Sequence, residues 1–308
     1  MPPKIIHFDV DEASIRLDQY LTKMMPELSR SQIKKLIRQG EVWVAGQTAK
    51  AGAPVQHGDR VSVRVPQPSP TALTPQDLPL EVLFADDDVL VVNKAAGMVV
   101  HPAHGHAGGT LVNALLARYP DLAAMTRLDP DSVWRPGVVH RLDQDTSGVM
   151  VLARTPEALH HLQRQFKQRT VEKTYLALVF GHPQAAEGII DVPLGRDPAN
   201  RQKFAPRPDG KPARTHYRVQ AGFAGYSLLV VGLETGRTHQ IRVHLAWLKC
   251  PVVGDTMYGR KKNPLGLRRQ FLHAWKLAFR HPRTGEAVSF EAPLPPELTA
   301  VLNQLEGA

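Results

Sequence analysis

The chain has a single cysteine, Cys250, in 308 residues. Neither an intramolecular disulfide framework nor a thiolate-rich zinc site can be built from it, and a reducing, cytoplasmic setting is expected. No stretch approaches the roughly 18 uninterrupted apolar residues of a membrane span. Met1 to Asp11 holds one Lys and no apolar run, which argues against a secretion signal. The patterns GxxxxGK[ST] and GxGxxG are both missing, so neither a nucleoside triphosphate nor a dinucleotide is indicated. Acidic charge is in deficit: 29 Asp+Glu against 38 Lys+Arg leave a net charge of +9. What is present, 43% hydrophobic and 22% charged residues, fits a folded chain and excludes a disordered or collagen-like one.

The excess positive charge is gathered in three places. Residues 29–38 hold four basic side chains and no acid, residues 196–218 hold seven against two, and residues 260–283 hold eight and none. Any one stretch reads as a solvated surface; three together favour a polyanion, and nucleic acid is the expected partner. The length suggests two domains of unequal size. Their boundary is marked by PQPSPTALTPQDLP, residues 66–79, whose five prolines favour an extended linker. We therefore expect a module over 1–66, a linker over 67–79 and a larger domain over 80–308.

In the first module, Leu17, Tyr20, Leu21 and Met24 follow the i, i+3, i+4, i+7 spacing of one helix face. Ser29 with Gln32 fits a capping box for a second helix, with Ile33, Leu36 and Ile37 as its apolar stripe and Gly40 as its stop. Arg30, Lys34, Lys35 and Arg38 fall mainly on the opposite face, while Arg16 reads as a partner for Asp18. Val42–Val44 and the alternation of Val61, Val63 and Val65 follow as strands, giving an αα-then-β unit. Beyond the linker, strands flank an Asp86-Asp87-Asp88 turn, and three helices are expected, over 110–118, from Thr155 with Pro156 at its first position, and over 238–248. Without regular βα alternation, the fold class is α+β with a mixed, largely antiparallel sheet.

Three segments carry candidate chemistry. In GVVHRLDQDTSG, residues 137–148, Asp145, Thr146 and Ser147 read as a capped turn bonding nearby backbone, with Gly148 in an unusual dihedral. Asp143 differs, because a carboxylate between apolar flanks near Arg141 suits a site that excludes water. In ETGRTHQIRVH, residues 234–244, Arg242 lies about 100° round the helix from the inward Ile241, where it borders either solvent or a cleft. In EKTYL, residues 172–176, Tyr175 reads as core or as part of a site. The histidines of HPAHGH, residues 101–106, lack the acid or Cys support that zinc requires, so no metal is assigned; His104 and His106 remain candidates for RNA contact.

Two resemblances sharpen this reading. Residues 15–65, with RLDQYL, SRSQIKKLIRQGEVWVAGQ and GDRVSV, resemble the alpha-L RNA-binding module shared with a small-subunit ribosomal protein. The resemblance implies RNA contact by Arg30, Ser31, Lys34, Lys35 and Arg38. VVNKAAGMVVHP, HRLDQDTSG, EKTYLALV and LETGRTHQIRVHLAWL with GDTMYG resemble, in this order, the motifs of the RluA-type pseudouridine synthases, with NKAAG standing where NKPAG is usual. That family isomerises uridine in RNA without cofactor or metal, and the match is most like its members acting on large-subunit ribosomal RNA. The resemblance implies Asp143 as the catalytic carboxylate and Arg242 as the partner that holds it ionised. It also implies Tyr175 against the target base, and Arg141 and His140 on the substrate side. A monomer is the default. The main rival is a noncatalytic RNA-binding ribosome-assembly factor; a glycosidase using Asp143 and Asp145 ranks last.

Overall fold

A computed structural model of the chain describes residues 4–307 apart from 13, 26–27, 29, 66–72, 103–107, 128–134, 201 and 261. Ser29, the first half of the Pro-rich stretch, His104 and His106 lie outside the described residues, as do the side chains of Ser31 and Gln32. The chain forms two compact units, residues 1–74 with 123–135 and residues 75–122 with 136–308. The division falls within the Pro-rich stretch.

The first unit contains β1 (Lys4–Asp9), β2 (Ile15–Arg16), α1 (Leu17–Met24), α2 (Arg30–Arg38), β3 (Val42–Val44), β4 (Gln47–Thr48), β5 (Pro54–Val55) and β6 (Arg60–Val65). Strand β1 corrects the expected αα-then-β order: it pairs antiparallel with β6 along its whole length and closes a sheet of order β1-β6-β3-β4. A single short strand with one apolar face gives too little periodicity to be seen without its partner. Leu17, Tyr20, Leu21, Ile33, Leu36 and Ile37 are buried as their spacing demands, whereas Met24 is exposed. Beneath the basic face of α2 lies Asp18, whose carboxylate is fully buried. It accepts hydrogen bonds from Arg16 Nε at 3.0 Å and Arg30 Nη2 at 3.0 Å, and Lys34 Nζ stands 3.5 Å away. Arg30 and Lys34 therefore anchor the fold of this unit as well as lending it charge.

The second unit contains β7 (Glu81–Ala85), β8 (Val89–Lys94), α3 (Leu111–Arg118), β9 (Ser147–Ala153), α4 (Pro156–Gln168), β10 (Glu172–Phe180), β11 (Glu187–Asp191), β12 (Leu194–Arg196), β13 (Phe204–Pro206), β14 (Arg214–Phe223), β15 (Tyr226–Leu233), α5 (Gln240–Trp247), β16 (Leu272–Arg280), β17 (Ala287–Glu291) and α6 (Pro296–Glu306). Its nine-stranded sheet runs β11-β14-β15-β10-β16-β9-β8-β7, with β17 beside β16. Among the described residues, β9 and β16 pair in parallel and the other pairings in this sheet are antiparallel. Strands β8 and β9 are buried over almost their full length, so each Val or Leu there contributes about 1.5–3 kcal/mol relative to exposure.

Local signals account for most of the ends. Asp86 Oδ1 accepts the N–H groups of Asp88 and Val89 and closes the β7–β8 turn. Thr110 and Asn113 cap α3 reciprocally, and Thr155 Oγ1 accepts the Ala158 N–H at the start of α4. Gly148 has φ 121°, and a Cβ there would lie 2.1 Å from the Ala274 carbonyl oxygen, so only glycine lets β9 approach β16. Helix α6 was not among the three helices expected, although Pro296 at its first turn and the buried Leu298 and Val301 mark it.

The side-chain hydrogen bond from Arg16, with further help from Arg30 against the cost of burial, holds the Asp18 carboxyl far below its ordinary 3.8. A depressed carboxylate contributes stability that is present above the unfolded value and lost as pH falls toward the folded one. The first unit of the intact chain is therefore expected to lose stability as pH drops below about 4, followed through Trp43 fluorescence. In Asp18→Asn that acid limb should be largely gone.

Candidate active site

Asp143 sits in the loop that leads into β9, and that loop is fixed from several sides. Lys94, at the end of β8 and fully buried, donates from Nζ to the carbonyls of Ala95 (2.8 Å), Met98 (2.8 Å) and Gln144 (2.9 Å). Three N–H groups meet three acceptors, the full capacity of an ammonium. Burial nevertheless lowers its pKa to about 7. On the other side, Arg269 donates to the Asp145 carbonyl at 3.1 Å, and Gln270 donates to Thr146 Oγ1 at 3.2 Å. Ser147 Oγ meets His273 Nδ1 at 2.9 Å, while His273 Nε2 faces the Ala292 carbonyl. Thr146 and Ser147 were expected to bond nearby backbone. Instead their side chains bond residues more than a hundred positions away, because β9 lies beside β16.

Arg242 occupies the first turns of α5 and is almost completely buried. Its Nε and Nη2 donate to Asp255 Oδ2 (2.7 Å) and Oδ1 (2.9 Å), and its Nη1 donates to Asp143 Oδ2 (3.0 Å). Asp255 Oδ1 also accepts the N–H groups of Met257 and Tyr258. Burial opposes charge on both partners, and their bidentate pairing outweighs it: Arg242 is held above its ordinary value and Asp255 below. Of the two ways open to Arg242 from its helical position, the cleft is the one taken. Helix α5 starts two residues later than expected, because His239 is left-handed at φ 58°. Its first turn is anchored by Gln240, which accepts from Thr235 and the Arg237 N–H and donates to the Arg214 carbonyl and Thr215.

Asp143 and Arg242 open onto a cleft of about 100 Å³ that Tyr175, Arg141 and His239 also line, with Leu142, Leu233, Ile241 and Leu272 as apolar walls. The Asp143 side chain is 19% exposed. Its protein hydrogen bond falls on Oδ2, and among the described residues Oδ1 has no protein donor. Burial, reinforced by the Asp143 charge, raises the Tyr175 pKa and keeps its hydroxyl protonated. Arg141 is exposed at the rim.

The structure brings Asp143, Arg242, Tyr175 and Arg141 together. His140 does not line the cleft: its Nε2 accepts the Val151 N–H at 3.1 Å and its ring stacks on Phe166 at 4.7 Å. Burial lowers its pKa to about 3, so it is a neutral brace between loop and strand, and that nitrogen is not offered to substrate. Arg30, Lys34, Lys35 and Arg38 lie on α2 of the first unit, and Arg38 is exposed. Lys94 and Asp255 were given no role from sequence, although NKAAG and GDTMYG contain them; a charged residue inside a short motif of otherwise small or apolar residues was the available signal. Among the described residues, one group has metal-compatible geometry, Asp86, Asp88 and His281. Its atoms are already engaged: His281 Nε2 bonds Asp86 at 2.8 Å and Arg283 pairs with Asp88.

Residues 88–247 match the family model described as RNA pseudouridylate synthase, and residues 15–61 match the S4 domain. An uncharacterized RNA pseudouridine synthase of Chloroflexus aurantiacus is 53% identical over 291 residues, covering 94% of this chain and 90% of that protein. The ribosomal large subunit pseudouridine synthase D of Xanthomonas campestris pv. campestris is 45% identical over 305 residues, covering 95% and 89%. Among solved structures, human RNA pseudouridylate synthase domain containing 1 superposes with a TM-score of 0.58 at 29% identity, covering 75% of this chain and 95% of that one.

Replacing Asp255 by Asn leaves a buried guanidinium with one carboxylate in place of two. A loss of about 3 kcal/mol is expected in the second unit, measured by urea unfolding of the intact chain; a change below about 1 kcal/mol would mean that the pair does not hold α5 in place.

Proposed function

This chain belongs to the RNA pseudouridylate synthase family, and from that membership we propose that it isomerises uridines of large-subunit ribosomal RNA to pseudouridine, with Asp143 acting at the ribose. The observation that carries this reading is the carboxylate itself: Asp143 is held by Arg242 at 3.0 Å through one oxygen and lines a cleft together with Tyr175. The substrate class is supported by the relative named for the ribosomal large subunit and by the S4 match over 15–61.

The reaction breaks the bond from C1′ to N1 of uracil, turns the base, joins C1′ to C5, and exchanges the C5 proton for one on N1. Every atom and electron is conserved, so the chemistry assigns no cofactor. A carboxylate serves it either as a nucleophile at the sugar or as a base on a ribose proton, and both roles need it ionised and fixed. Arg242 meets that need from one side. Tyr175, protonated and packed in the wall, offers a surface for the base near the C5 proton. The target nucleotide must leave its stack at a cost of roughly a few kcal/mol, and Arg141, exposed at the rim, is placed to enter the space it vacates. Phosphate contacts by the α2 face supply binding energy remote from the chemistry. A noncatalytic assembly factor has no use for a carboxylate held in this way.

Tritium release from large-subunit RNA carrying [5-³H]uracil tests the reading. Wild type is expected to release the label, and Asp143→Asn to bind the RNA within a few fold yet release none. Turnover retained by Asp143→Asn removes the aspartate from the mechanism; binding without release by wild type favours the assembly factor. Charge reversal at Lys35 and Arg38, which leaves the Asp18 cluster intact, should raise KM and flatten the dependence of binding on salt.

A further inference from the structure

Asp143 has a second neighbour besides Arg242, the His239 imidazole. His239 immediately precedes that helix, and its left-handed backbone, φ 58°, is costly for a residue with a side chain. The ring is held in place by two aromatic neighbours, edge-on to Tyr258 at 5.6 Å and to Phe204 at 5.9 Å between centroids. Its Nδ1 lies 2.9 Å from the Tyr258 hydroxyl.

Phe204, the first residue of β13, donates its N–H to the Tyr258 oxygen at 2.8 Å, and we assign the hydroxyl proton to the bond with His239 Nδ1. With Nδ1 accepting, the ring proton is on Nε2, and Nε2 faces Asp143 Oδ2 at 4.0 Å. Burial lowers the imidazole pKa, against the pull of the Asp143 charge, so the ring is neutral in this tautomer. The same Tyr258 donates its backbone N–H to Asp255 Oδ1, and Asp255 holds Arg242, which holds Asp143. Tyr258 thus stands at the junction of two paths to one carboxylate. A separation of 4.0 Å is longer than a hydrogen bond, as contacts to catalytic groups often are before substrate closes them.

We propose that His239, oriented by the Tyr258 hydroxyl, is a positioning residue for Asp143: its Nε2–H and Arg242 constrain Oδ2 from two sides, and Oδ1 is the oxygen that meets the ribose. This rests on the assignment of Asp143 made above. The β12–β13 hairpin enters as the source of the N–H that aims the hydroxyl, which ties the alignment of the carboxylate to the seating of that hairpin.

Single-turnover tritium release from large-subunit ribosomal RNA, with RNA binding measured separately, decides the matter. Tyr258→Phe and His239→Ala are each expected to slow release about 10- to 100-fold while Kd for the RNA stays within about threefold. The double variant should be no slower than His239→Ala, because both changes interrupt one path. His239→Gln, whose side-chain amide can place an N–H near the Nε2 position, should recover much of the rate. Unchanged single-turnover rates, losses confined to Kd, additive losses in the double variant, or no recovery in His239→Gln would each overturn the proposal. Tyr258→Phe keeps the ring beneath Arg242 and removes one oxygen, so its rate decides the outcome if His239→Ala melts early. Failure of wild type to release tritium would instead remove the functional reading on which the proposal rests.

Discussion

The guanidinium of Arg242 is the constraint on which the rest of the site depends. A cation almost out of contact with water is tolerated only when its donors are used and its charge is met, and Arg242 satisfies both conditions by spanning Asp255 and Asp143. Asp255 takes the two-pronged, geometrically strict half of the contact, which leaves the single Nη1 bond for Asp143. The division is useful chemically. The rigid half fixes the arginine, and the weaker half fixes the aspartate without occupying both of its oxygens.

Around that bridge, the structure spends buried polar groups on holding one loop still. Lys94 ties Gln144 to the turn after β8, Arg269 ties Asp145 to the strand beyond it, and His140 ties the approach to β9. Each of these contacts engages one of the residues flanking Asp143 and leaves the carboxylate itself alone. Preorganisation of this kind suits the role proposed for Asp143, because a fixed group needs no reorganisation during a chemical step. The apolar walls, Leu142, Leu233, Ile241 and Leu272, strengthen it by keeping the local dielectric low.

The first unit solves a related problem with the opposite charge buried. Asp18 is enclosed, and Arg16, Arg30 and Lys34 converge on it from positions where their remaining donors still face solvent. A face built in this way keeps a net positive charge while its cations are held in defined places, which suits repeated contact with a phosphate backbone.

By itself the sequence determined much of the elements and the inventory. The helix faces of Leu17 to Leu21 and Ile33 to Ile37, the Asp86 turn, the Thr155 cap and the largely antiparallel sheet all follow from periodicity and capping, which act over a few residues. The ordered motifs also pointed to Asp143, Arg242, Tyr175 and Arg141. Beyond the Arg16–Asp18 and Arg242–Asp143 pairs, tertiary structure alone decided which polar groups are paired. It took His140 out of the cleft and into contact with Val151, turned Ser147 toward His273, and gave Lys94 and Asp255 their work. The reason is physical: a spacing of three or four residues fixes a face, but a hydrogen bond between residues 99 positions apart, as in Arg242 and Asp143, is fixed by strand order and register. No local pattern encodes that order, because it is chosen by the burial of the sheet as a whole.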